Sequence, residues 1–93
     1  MKSILQHERE CFVCKTTLDL HEHHVFDGTA NRRLSEMYGL KVYLCARHHN
    51  MSNEGVHFNK KLELALKRFA QKRFEKLYSH EKFMSVFGKN YLP

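Results

Sequence analysis

Ninety-three residues suffice for one domain and are too few for two independent cores; 42% hydrophobic and 28% charged residues make a globular balance. One Pro and four Gly exclude collagen-like and Pro-rich linker architectures, and no apolar run reaches the length of a membrane span or a signal-peptide core. Sixteen Lys and Arg against ten Asp and Glu leave a net charge of +6, which favours a polyanionic partner.

In chain order, residues 1–10 read as a polar lead-in with one or two helical turns. Cys11-Phe12-Val13-Cys14 is a knuckle with two thiols three positions apart. Leu20 to Phe26 is a short strand, turned by Asp27-Gly28. Thr29 is expected to cap a helix over Ala30–Tyr38 that stops at Gly39. Val42-Tyr43-Leu44 forms a second strand, and a helix runs from Cys45 to about Asn53, stopped by Gly55. Asn59 caps a helix from Lys60 to about Tyr78, with Leu62, Leu66, Phe69, Phe74 and Leu77 as an apolar stripe that serves as core or as a homodimer seam. Ser79 caps a last helix carrying Phe83, Val86 and Phe87 and ending at Gly88.

Three Cys and eight His are the unusual counts, and six of the histidines fall between positions 21 and 57. An odd cysteine number without a secretory signal argues against a disulfide scaffold and for metal. Cys11-x-x-Cys14 and Cys45-x-x-His48, separated by thirty residues, can close a tetrahedral zinc site. A two-residue gap lets one tight turn present both ligands to one ion, and four protein ligands make the site structural. His49 or His21 could replace His48 as fourth ligand. With that ion satisfied, the remaining histidines form a second group. His23 and His24 end a strand, and His49 begins a helix. Asn53 lies four residues further along the same helical face, and His57 follows the Gly55 turn. Such a frame suits one cation with open coordination positions. His7 and His80 are surface bystanders.

These residues carry a resemblance. Cys11-x-x-Cys14, the His23-His24 pair, Cys45-x-x-His48-His49 and the order of elements between them resemble the HNH endonucleases, the ββα-metal nuclease superfamily. The tail Phe87-Gly88-Lys89-Asn90-Tyr91-Leu92, with His48-His49-Asn50 and Gly55-Val56-His57, further resembles small HNH-like proteins of bacteriophages. The resemblance implies an α+β fold in one domain: a zinc-stapled ββα-metal core over residues 11–57 and a C-terminal helical extension over 58–93. It implies His23 as metal ligand, His24 as general base and His49 as second ligand; the placement of His57 and Asn53 adds either as a weaker third ligand. Two departures stand out. The family's middle Asn has no counterpart around Tyr38-Gly39-Leu40, Asn31 being the nearest, and His48 stands where many relatives have Cys.

The expected activity is metal-dependent hydrolysis of DNA phosphodiester bonds, leaving 5′-phosphate and 3′-hydroxyl ends. Imidazole-rich ligation favours Zn, Ni, Co or Mn over Mg as the second divalent metal. Arg32, Arg33, Lys41, Arg47, Lys67 and Arg68 are the candidate phosphate contacts. No membrane partner is expected, and the compartment is cytoplasmic, that of a host bacterium for a phage protein. The rival is a non-catalytic zinc module on the same scaffold that binds DNA or protein.

Overall fold

Two short antiparallel strands, β1 (Leu20–His24) and β2 (Lys41–Cys45), organise the molecule. The computed structural model describes residues 2–49 and 55–93, so Asn53 and the expected helix beyond His49 lie outside the described residues. The register sets His21 opposite Leu44, His23 opposite Val42 and His24 opposite Lys41. Alternation then puts His21 and His23 on the face of the buried Val42 and Leu44, and His24 on the other.

β1 stops two residues short of the expected Phe26. Buried Ser35 takes both backbone groups of Phe26: its hydroxyl accepts from the Phe26 N–H at 3.2 Å and donates to the Phe26 carbonyl at 3.1 Å. The chain thereby leaves the ladder and enters helix α1 (Thr29–Tyr38). The cap there is Gly28, at φ 91°, with no side-chain hydrogen bond; Thr29 is the first helical residue, not the cap. A short helix α2 (Ala46–His49) follows β2, and α3 (Lys60–Leu77) and α4 (His80–Phe87) complete the fold.

Among the described residues of the lead-in no helix forms. Instead the segment runs along the outer edge of β2. The Ser3 hydroxyl donates to the Lys41 carbonyl, the Gln6 side-chain oxygen accepts from the Tyr43 N–H at 2.8 Å, and the Phe12 N–H donates to the Tyr43 carbonyl at 2.8 Å. Main-chain groups on a strand edge need partners, and here side chains and an irregular backbone supply them.

Gly39 ends α1 in the left-handed region at φ 71°, and a Cβ there would lie 2.3 Å from the Lys2 carbonyl oxygen. Gly39→Ala is therefore expected to destabilise the fold by at least about 2 kcal/mol, from left-handed strain plus displacement of the N-terminal segment. Thermal melting checks this; an unchanged midpoint contradicts it.

The C-terminal helices form as their caps predict. The Asn59 side chain accepts from the Lys61 and Leu62 N–H groups at 3.1 Å, and Ser79 accepts from Lys82 at 3.0 Å. Leu66, Ala70, Phe74 and Phe83 are buried with Val25, Phe26, Leu40, Val42 and Leu44 in one cluster that spans both parts of the chain. Phe26 packs against Phe83, Phe87 and Tyr91 with ring centroids 5.5, 4.6 and 5.3 Å apart. Of the α3 stripe, Leu66 and Phe74 are core, Leu62 and Phe69 pack half-buried against it, and Leu77 is 59% exposed. Among the described residues, no helix is long and apolar enough to cross a membrane.

Candidate metal centres

Cys11, Cys14, Cys45 and His48 converge, with one ligand atom from each lying within 4.8 Å of the others. The first two come from a tight turn in which the Cys11 N–H donates to Thr16 at 2.8 Å and the Lys15 N–H to Cys11 at 2.9 Å. The other two come from the end of β2 and from α2. The separations are 3.7 Å for Cys14 Sγ to Cys45 Sγ, 3.2 Å for Cys45 Sγ to His48 Nδ1, and 3.8 Å for Cys11 Sγ to His48 Nδ1. A tetrahedron with Zn–S near 2.3 Å and Zn–N near 2.0 Å has edges of about 3.7 Å (S–S) and about 3.5 Å (S–N). The quartet therefore fits zinc, and neither His21 nor His49 takes the place of His48. Burial opposes ionisation of Cys11, but backbone N–H groups of Cys14, Cys45 and Val13 outweigh it and bring the thiol to about 6. Burial, with Cys14 and Cys11 adding to it, pushes the Cys45 thiol up. A cation among the sulfurs favours the thiolate at each.

A second convergence joins His23, His49 and His57, whose ligand nitrogens also lie within 4.8 Å of one another. His49 Nε2 and His57 Nε2 are 3.1 Å apart, close to the roughly 3.3 Å edge expected between two imidazole nitrogens on one tetrahedral ion. The His23 ring centroid lies 5.4 Å from those of both other rings. His23 is only 6% exposed, and its Nε2 has no hydrogen-bond partner among the described residues. Burial first, then the neighbouring imidazoles, holds His23 at about 4 and His49 at about 4. Both are thus neutral near pH 7, the form that binds metal.

His24 points away from that trio, as strand alternation requires. Its Nε2 lies 2.9 Å from Glu36 Oε1. The Lys41 ammonium binds the other Glu36 oxygen at 2.7 Å and approaches Glu22 at 3.6 Å. Lys41, foremost, and His24 hold the Glu36 carboxyl far below its usual range. Glu22, His24 and Glu36 also group closely enough to hold a cation, but the Lys41 ammonium already supplies positive charge there. Sequence reading missed both carboxylates; the available signal was period-two alternation, which sets Glu22 beside His24.

The two sets of residues open onto one cleft of about 970 Å³, lined also by Gly28, Arg32 and Arg33 at the start of α1. The other candidate phosphate contacts are spread out. Lys41 is held by the carboxylates just described. Lys67 pairs with Glu63 at 2.7 Å and Asp27 at 3.5 Å, and Arg68 Nε donates to the Tyr91 carbonyl at 2.9 Å. Arg47 is exposed on α2. His80, read as a bystander, bonds Glu75 at 2.7 Å. Comparison with protein-family models, curated proteins and solved structures finds no match to this chain.

Proposed function

We propose that this chain is a metal-dependent DNA endonuclease whose zinc quartet is structural and whose working cation is held by His23, His49 and His57. The observation that carries this reading is the buried Nε2 of His23, without a hydrogen-bond partner among the described residues, beside two further imidazole nitrogens in an open cleft. An unsatisfied buried nitrogen costs stability, and a ligand that accepts its lone pair removes that cost. A divalent cation there would supply charge relief to a phosphoryl oxygen and to the departing alkoxide.

The protein's own groups do the rest. Glu36 engages His24 at Nε2, so the proton sits there and Nδ1 is the basic nitrogen. His24 lines the same cleft and takes a proton from the attacking water. The water oxygen bonds to phosphorus as the 3′ oxygen leaves and takes a proton from solvent, giving the 5′-phosphate and 3′-hydroxyl ends that the HNH resemblance implies. Arg32 and Arg33, on the cleft wall, neutralise flanking phosphates.

Plasmid nicking tests the reading across Zn, Ni, Co, Mn and Mg. Wild type is expected to cleave with at least one of them, and His24→Ala to lose about 10²–10⁴ of the rate with its zinc content unchanged. A wild type that cleaves with none of these metals refutes the proposal and leaves the non-catalytic zinc module.

A further inference from the structure

One imidazole beside the trio has no role in the mechanism above. His21 lies two residues before His23 on the same face of β1. Its Nδ1 is 3.0 Å from His49 Nδ1, with the rings edge to face at 79° and centroids 5.1 Å apart. His49 is therefore engaged at both nitrogens: Nδ1 by His21, and Nε2 by the group that contains His57 Nε2 at 3.1 Å. A neutral imidazole that gives one lone pair to a cation carries its proton on the other nitrogen, and that proton needs an acceptor.

We infer that His21 is a positioning residue: its Nδ1 accepts the Nδ1–H of His49, fixing the tautomer and ring orientation that present His49 Nε2 to a divalent cation shared with His23 and His57. The inference rests on the metal reading above and deepens it. The two nitrogens of one ring point away from each other, so a group bonded to Nδ1 does not share an ion bound at Nε2. His21 is thus a hydrogen-bond acceptor and not a fourth ligand. The strand's two-residue repeat explains the arrangement, because His21 and His23 bracket one helix histidine, one holding its proton and the other sharing its cation. Metal-bound imidazoles lose affinity when the acceptor behind them is removed.

Cobalt titration of the zinc-loaded full chain tests this, with binding of a further equivalent read by calorimetry and zinc content verified afterwards. His21→Phe keeps a ring and removes the acceptor, whereas His21→Asn places an amide oxygen where Nδ1 was. The expected result is a 10- to 100-fold weaker cobalt affinity in His21→Phe, on the order seen for lost outer partners, and recovery of most of it in His21→Asn. A packing role predicts the reverse ranking and overturns the inference. So does an unchanged affinity in His21→Phe, and so does complete loss equal to that of His49→Ala, which would make His21 a ligand. A wild-type chain that takes up no further equivalent overturns the metal reading itself and this inference with it. Normal uptake by wild type with an indifferent His21→Phe removes only the role of His21.

Discussion

Replacing Cys45 with serine is expected to cost the chain its cooperative thermal transition, and stripping zinc from the wild type should do the same reversibly. Structural zinc contributes about 10–16 kcal/mol to apparent folding free energy, whereas a domain of this size has a net stability of roughly 5–15 kcal/mol or less. Cys45 is 6% exposed and Cys11 is fully buried, so neither can turn to solvent when the ion is lost. The quartet also ties together the knuckle, the end of β2 and the four-residue α2. His48 and His49 are adjacent on α2, so dislocating the first moves the second and dismantles the trio as well. Circular dichroism during heating checks the expectation, and a Cys45→Ser chain melting like wild type would show that zinc is dispensable to the fold.

His23→Leu is expected to act in the opposite direction on stability while abolishing uptake of the further metal ion and nicking. Leucine retains apolar bulk beside Val42 and removes a buried nitrogen that lacks a hydrogen bond among the described residues, a gain of about 1–3 kcal/mol in the zinc-loaded chain without a second ion. The pH dependence should change with it. Burial holds His23 at about 4 against an ordinary value of 6.5, so between those limits the unfolded chain binds more protons than the folded one. This contribution to stability is complete above pH 6.5 and is lost as pH falls towards 4. Denaturation of the zinc-loaded chain across that window should therefore show a shallower slope in His23→Leu than in wild type, His49 retaining its own part. A leucine variant that is less stable than wild type at pH 7 would mean that the imidazole has a partner within the fold.

The zinc quartet was legible because its ligands lie in two short knuckles, where sequence spacing is nearly spatial spacing. The helix limits at Asn59, Ser79, Gly39 and Gly88 were legible because capping is a local hydrogen-bond problem. His23, His49 and His57 could be grouped from their clustering, but the place of His21 behind His49 depends on strand register, which only pairing with Leu44 defines. Thr29 failed as a cap because Gly28 adopts a backbone angle unfavourable to other residues and starts the helix without a side chain. The fate of Lys41 and Lys67 was hidden for a different reason. Composition counts their charges as surplus, whereas the fold supplies carboxylates both from nearby positions, Glu36 for Lys41 and Glu63 for Lys67, and from distant ones, Glu22 and Asp27.

The stretch from Ser3 to Phe12 also bears on how the protein behaves in crowded solution. A pair of strands offers two open flanks, and a bare flank invites strands of neighbouring molecules to zip on. Because Ser3, Gln6 and Phe12 occupy the β2 flank, polymerisation by that route is blocked from within the chain. A fusion tag or trimming that unseats these residues would leave the main-chain groups of Lys41 and Tyr43 open to pairing with a strand of another molecule.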